Sequence, residues 1–216
     1  MYEVEVKVRA DHDRLRGRLD ALDATRSGRV RQTDTYYDAP HRDFAETDEA
    51  LRVRREEETD SLEEREGVTR LTYKGPLVEE ESKTRQEAET GVGDAEATRA
   101  VLDGVGFEPA ATVRKDRERY RLEGYTVTLD AVEGLGEFVE VETEVAEEAD
   151  VETARQGAEA LLERLGLDPD EGIRTSYLGL LLESEGEEGR EAPSGDGERG
   201  TDPDGSSDGG SGISPD

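Results

Sequence analysis

Several short stretches of this chain carry charged side chains at alternate positions, in combinations that could bind a polyphosphate and a divalent cation. Glu3-Val4-Glu5-Val6-Lys7 sets two carboxylates and an ammonium in one row. Arg52 and Arg54 flank Val53, and Lys115, Arg117 and Arg119 form a second basic row. Arg85, Glu87 and Glu89 form a mixed row, and Glu140 and Glu142 alternate with Val139 and Val141. Residues two apart on a strand lie on one side of the sheet, about 6.5–7 Å from each other. Each stretch therefore reads as a strand with one charged and one apolar face. Lysine is scarce, with Lys7, Lys74, Lys83 and Lys115 the four among 28 basic residues. A residue type kept so sparingly points to a task.

The chemistry follows from the residue types. Arginine makes bidentate contacts to phosphate, and lysine acts as a compact point charge. Glu3, Glu5, Glu140 and Glu142, with Asp130, offer all-oxygen ligation for a hard cation. Magnesium in particular binds through one or two carboxylates together with substrate phosphates. Lys7, Arg52, Arg54, Lys74, Arg85, Lys115, Arg117 and Arg119 are the candidate phosphate ligands. Brought together, unit charges ~6 Å apart interact by nearly 3 kcal/mol at an effective dielectric of 20. Nearby acids would relieve part of that repulsion, and a triphosphate would relieve the rest.

The elements that must position these rows are mostly strands. Tyr2 to Arg9 alternates cleanly, and further strands are predicted near 29–38, 50–56, 67–75, 83–90, 111–122, 125–132 and 137–146. Asp11, Asp94 and Asp150 are predicted to cap helices with inner stripes of Leu15, Leu19 and Leu22, of Ala97, Val101 and Leu102, and of Ala154, Ala158, Leu161, Leu162 and Leu165. A last helix is expected over 175–183. Eight strands with helices at a few joints predict an α+β fold whose antiparallel sheet is large enough to close. With helices covering the apolar faces outside, the charged faces would line the interior. Residues 1–183 form the predicted folded domain. Residues 184–216, rich in Gly, Ser, Asp and Glu, read as a disordered acidic tail.

Composition excludes other chemistries. The 216 residues include 57 acidic ones and carry a formal charge of −29. That argues against nucleic-acid or anionic-membrane partners and suggests a halophilic, very salty cytoplasm, where the Debye length falls to roughly 3 Å. With no cysteine and only His12 and His41, thiol nucleophiles, zinc ribbons and histidine-rich metal sites are excluded. No apolar run approaches the ~20 residues of a membrane span, and the N-terminus lacks signal-peptide character, so a cytoplasmic location is expected. Gly134-Leu135-Gly136 reads as a turn, there is no P-loop, and no Ser or Thr has an adjacent histidine.

Glu3-Val4-Glu5-Val6-Lys7 resembles the ExExK signature of the CYTH superfamily, the triphosphate tunnel metalloenzymes. The resemblance spans about residues 1–182. It includes Gln32-Thr33-Asp34-Thr35-Tyr36-Tyr37-Asp38, Ala50-Leu51-Arg52-Val53-Arg54, Leu71-Thr72-Tyr73-Lys74-Gly75-Pro76 and Arg85-Gln86-Glu87. It continues through Val113-Arg114-Lys115-Asp116-Arg117, Leu129-Asp130-Ala131-Val132, Leu135 to Glu142, and Ser176-Tyr177-Leu178. It implies an eight-stranded antiparallel β-tunnel, a closed barrel with helices packed outside. It also implies that Glu3, Glu5, Asp130, Glu140 and Glu142 hold Mg2+ or Mn2+ while the eight basic residues cradle a triphosphate, with Lys7, Lys74 and Lys115 catalytic. Within the superfamily the Tyr-Lys-Gly-Pro and Gln-x-Asp-x-Tyr-Tyr-Asp stretches look most like class IV adenylyl cyclases, which convert ATP to cyclic AMP. The alternatives are a triphosphatase acting on thiamine triphosphate or inorganic triphosphate, and a non-catalytic triphosphate-binding module. The pattern departs at Arg174-Thr175, where relatives often carry a lysine. A homodimer is compatible with the resemblance.

Overall fold

In the computed structural model, residues 2–60, 67–77 and 85–188 are described. The strands are β1 (Tyr2–Arg9), β2 (Thr25–Asp38), β3 (Ala50–Glu58), β4 (Val68–Leu77), β5 (Arg85–Val92), β6 (Glu108–Leu122), β7 (Tyr125–Val132) and β8 (Gly136–Val145). They close into a barrel in the order β1-β5-β4-β3-β2-β6-β7-β8, with every neighbouring pair antiparallel. The closed eight-stranded architecture expected from the strand count is the one observed. Closure joins the first strand to the last: β1 pairs with β8 over its whole length, from Tyr2↔Val145 to Arg9↔Phe138. On its other edge β1 meets β5 at Tyr2↔Gln86 and Glu3↔Arg85.

Strand β2 begins four residues before its predicted start. The register shifts between Arg26 and Gly28, and Gly28 lies at φ 141, a bulge conformation open to glycine. The bulge breaks the alternation that would have betrayed the earlier part of the strand.

Helix α1 (His12–Ala21) is capped by Asp11, which accepts from the Arg14 amide at 3.0 Å. Asp94 caps α3 (Ala95–Gly104) in the same way, accepting from the Ala97 amide at 2.9 Å. Asp150 does not cap α4 (Val151–Arg164). It ends a single 3-10 turn, Glu148–Asp150, and its backbone is already helical (φ −91, ψ −10), so it lacks the extended conformation that aims a capping side chain back at the helix. A short α2 (Phe44–Thr47) was not anticipated. The last helix, α5, spans Tyr177–Glu188, starting two residues later and ending five residues later than expected. The remainder of the predicted acidic tail lies outside the described residues, and no helix among the described residues is long and apolar enough to cross a membrane.

Val6, Val8, Val127, Leu129, Val139 and Val141 point out of the barrel and are buried under Leu15 and Leu19 of α1 and Ala158, Leu161 and Leu162 of α4. Val4 packs against Val151 and Ala154. The interior is not charged throughout, as the alternation had implied. Val113, Val132 and Phe138 share strand parity with Lys115, Asp130 and Glu140, and they form a buried cluster with Tyr177 of α5. Apolar groups and the start of α5 thus occupy part of one end of the barrel.

Candidate active site

A cavity of about 670 Å³ occupies the barrel, within the range of small-molecule sites. Glu3, Glu5, Lys7, Arg52, Arg54, Lys74, Arg85, Lys115, Arg117, Glu140 and Glu142 all line it. Residues from six strands and more than a hundred positions apart therefore meet around one space. Two predicted members do not line it. Arg119 forms a bidentate pair with Glu56, at 3.0 and 2.7 Å. Asp130 is fully buried behind the basic groups.

The charges are sorted by position in the ring. Arg52 and Arg54 stand on β3, Lys115 and Arg117 on β6, and β2 runs between these two strands. Directly across the ring from β2 stands β1, which brings Glu3 and Glu5 beside Glu142 of β8. A basic arc thus faces an acidic wall.

The basic arc is braced from behind. Asp34 of β2 is cross-strand partner to Arg54 and accepts from its Nε and Nη2 at 2.6 and 2.7 Å, while Arg52 lies 3.7 Å away. Burial opposes ionisation of Asp34, yet Arg54 and Arg52 hold its carboxyl well below the usual range. Asp130 plays the same part for β6, accepting from Lys115 at 2.9 Å and from Arg117 Nε at 2.6 Å. Arg117 also donates to Glu140. Burial alone would raise both acids, but the neighbouring cations, Arg117 foremost, keep them low. Burial and the charge of Arg117 push Lys115 down to about 8, against the attraction of Asp130 and Glu140.

Lys7 and Lys74 connect the walls. Lys7 Nζ lies 3.5 Å from Glu5 and 3.6 Å from Glu140. Lys74 bonds Glu3 and sits 3.0 Å from Glu87. The expected excess of interior cations is therefore not found. Asp34, Glu56, Glu87, Asp130 and Glu140 supply counter-charges, and Glu3, Glu5 and Glu142 are themselves reached by Lys74, Lys7 and Arg117. Arg52 Nε is buried with no hydrogen-bond partner among the described residues, a donor that a ligand oxygen would satisfy.

Of the five acids proposed to hold metal, three meet. Glu3, Glu5 and Glu142 each place a carboxylate oxygen so that all lie within 4.8 Å of one another. Glu5 and Glu142 are directly opposed across the β1–β8 ladder, where like charges repel. Burial raises the Glu142 carboxyl to about 7; Arg117 opposes the shift, and Glu3, Glu140 and Glu5 add to it. A trio of crowded oxygen donors fits a hard divalent cation. Glu140 and Asp130 are occupied with Arg117, Lys115 and Lys7 instead.

The sequence reading assigned no role to four features of the cavity. Asp34 and Glu87 brace the cavity, and their parity with Gln32 and Arg85 was the available signal. The rings of Tyr177 and the two lysines meet, with Lys7 Nζ 4.3 Å and Lys115 Nζ 4.7 Å from the Tyr177 centroid, a contact that no local pattern announces. Arg174, at which the pattern departs from its relatives, lines the cavity. The segment from Phe44 to Glu49 also reaches it.

The family profile described as CYTH domain matches residues 1–177. A Methanocaldococcus jannaschii protein provisionally named an adenylate cyclase is 36% identical over 181 residues, covering 83% of this chain and 98% of that protein. Adenylate cyclase CyaB of Aeromonas hydrophila is 29% identical over 185 residues, covering 85% and 90%. The structure of the PH1819 protein from Pyrococcus horikoshii superposes with a TM-score of 0.76 at 40% identity, covering 84% of this chain and 99% of that one. A Hippeastrum protein, provisionally named an adenylyl cyclase and described as having a dominant triphosphatase activity, shares the fold at 20% identity and a TM-score of 0.55, covering 85% of this chain and 95% of that one.

Proposed function

The chain belongs to the CYTH-domain family, and from that premise we propose that it is a class IV-type adenylyl cyclase, converting ATP to cyclic AMP and pyrophosphate. The observation that carries this reading is the acidic trio facing a braced basic arc across one cavity. In the reaction the ATP 3′ hydroxyl oxygen bonds to the α-phosphorus, the bond from that phosphorus to the pyrophosphate oxygen breaks, and the hydroxyl proton is released to solvent. Arg52, Arg54 and Arg117 hold the phosphates, with Lys7, Lys74 and Lys115 as the catalytic lysines. Their positive charges stand where negative charge accumulates on departing pyrophosphate. Asp34 and Asp130 keep the arginines and Lys115 in place, so little reorganisation is needed as the reaction proceeds. Glu3, Glu5 and Glu142 would hold Mg2+ or Mn2+, and such an ion, when bound, supplies Lewis-acid stabilisation of phosphate oxygens.

The cyclase is favoured over a triphosphatase by the naming of the two curated relatives. The activity described for the Hippeastrum protein keeps hydrolysis as the second reading, since the same cavity could hold thiamine triphosphate or inorganic triphosphate. Incubating pure protein with ATP, thiamine triphosphate and inorganic triphosphate, each with magnesium or manganese, decides between them. Cyclic AMP with one equivalent of pyrophosphate supports the cyclase. Orthophosphate from ATP without cyclic AMP refutes it. Glu5→Gln separates both from a non-catalytic binder, which would have no turnover to lose.

A further inference from the structure

Arg85 was expected among the triphosphate ligands, yet its two terminal nitrogens are engaged elsewhere. Nη1 donates to the Asp48 backbone carbonyl, and Nη2 donates to the Asp48 carboxylate at 2.7 Å. Arg85 itself is 4% exposed. Asp48 has φ 54, a left-handed conformation uncommon for a residue other than glycine. A residue is held there only where its surroundings over-determine the backbone.

Asp48 belongs to a segment that borders the cavity. Asp38, Ala110, Arg174 and Leu182 line the cavity and are exposed, so it opens to solvent beside them. Phe44, Tyr36, Leu51, Ala111 and Leu178 give the cavity an apolar portion of wall, with Tyr36 directly across the β2–β3 ladder from Arg52. Glu49 anchors the same segment to β4: it accepts from Tyr73, from Thr47 at 2.6 Å, and pairs with Arg42 at 3.1 Å. Arg85 anchors it to β5, next to Glu3 across the β1–β5 seam.

Resting on the triphosphate reading above, we propose that Arg85 and Asp48 form a latch that sets the apolar rim, and that this rim selects triphosphates carrying a ring-bearing organic group. Arg85 is then a positioning residue acting through Asp48, and the phosphates bind on Arg52, Arg54, Lys115 and Arg117. An inorganic triphosphate uses only these charged groups. A nucleoside triphosphate uses both parts.

The test measures binding of α,β-methylene-ATP and of inorganic triphosphate by calorimetry, with calcium in place of magnesium to suppress turnover. The proteins are wild type, Arg85→Ala, Asp48→Gly and the double variant. Asp48→Gly removes the carboxylate while relieving the left-handed backbone, so it keeps the test valid even where Arg85→Ala fails to fold. The latch predicts that each single variant weakens the ATP analogue about tenfold or more, leaves inorganic triphosphate within about twofold, and that the double variant is no worse than either, the non-additivity of residues acting as one unit. Equal weakening of both ligands by Arg85→Ala would make it a direct phosphate ligand and overturn the proposal. So would an unchanged ATP-analogue affinity in Asp48→Gly. Wild-type protein that binds neither ligand refutes the triphosphate reading itself, and the latch with it.

Discussion

Replacing Asp130 by Asn separates two roles for one carboxylate. The sequence pattern placed Asp130 among the metal ligands, whereas the structure places it behind Lys115 and Arg117, with both oxygens accepting from those cations. Removing one partner of a buried charge cluster costs about 3–5 kcal/mol, because the remaining charge is left uncompensated. For a domain of this size each kcal/mol moves Tm by roughly 2–4 °C, so a fall of roughly 6–20 °C is expected. The loss should also depend on pH. Arg117 keeps Glu140 as a partner, but Lys115, already lowered to about 8 by burial and Arg117, would drop further without Asp130. The unfolded chain then binds more protons than the folded one, so stability of the variant rises with pH, by about 1.4 kcal/mol per unit between the folded and unfolded pKa of Lys115. Thermal unfolding at pH 6, 7, 8 and 9 with manganese titrations at fixed pH reads both effects. The expected result is a marked, pH-dependent loss of stability with metal affinity within about twofold of wild type, a change of less than ~0.5 kcal/mol. A tenfold loss of metal affinity with little change in Tm would refute this assignment and return Asp130 to the metal shell.

Metal binding itself should weaken as pH falls. With the Glu142 carboxyl at about 7, an incoming cation must displace its proton below that pH, so affinity should fall roughly tenfold from pH 8 to pH 6; calorimetry in buffers of different ionisation enthalpy should detect the released proton, and Glu142→Gln should abolish the pH dependence. Asp34→Asn should leave Arg54 and Arg52 without their shared counter-ion, destabilising the protein by about 3–5 kcal/mol, with added triphosphate restoring part of the loss in a thermal-shift assay. Salt should stabilise the whole chain: at a charge of −29, lowering KCl from about 1 M to about 0.1 M lengthens the Debye length from roughly 3 to 10 Å, and Tm should fall. An unchanged Tm across that range would count against adaptation to a salty cytoplasm.

Much of the barrel was legible because strand alternation is a local property. The charged and apolar parities of β1, β3, β6 and β8 could be read off two-residue spacings, and so could the helices under Asp11 and Asp94. Local reading failed where the backbone leaves its regular path, at the Gly28 bulge, at the 3-10 turn that disarms Asp150 as a cap, and along the Phe44–Glu49 rim. It also failed to divide labour among like residues. Glu140 and Glu142 are indistinguishable as neighbours on one strand, yet one accepts a hydrogen bond from Arg117 while the other, 3.9 Å from the same guanidinium, crowds against Glu3 and Glu5. That difference arises from closure of the ring, which sets β1 beside β8 and lays β2 between two basic strands. The amino-acid order alone determined which side chains face inward. Which of them meet, and whether a carboxylate serves a cation of the protein or a metal, was decided only in three dimensions, because Coulomb interactions depend on distance in space and not on separation along the chain.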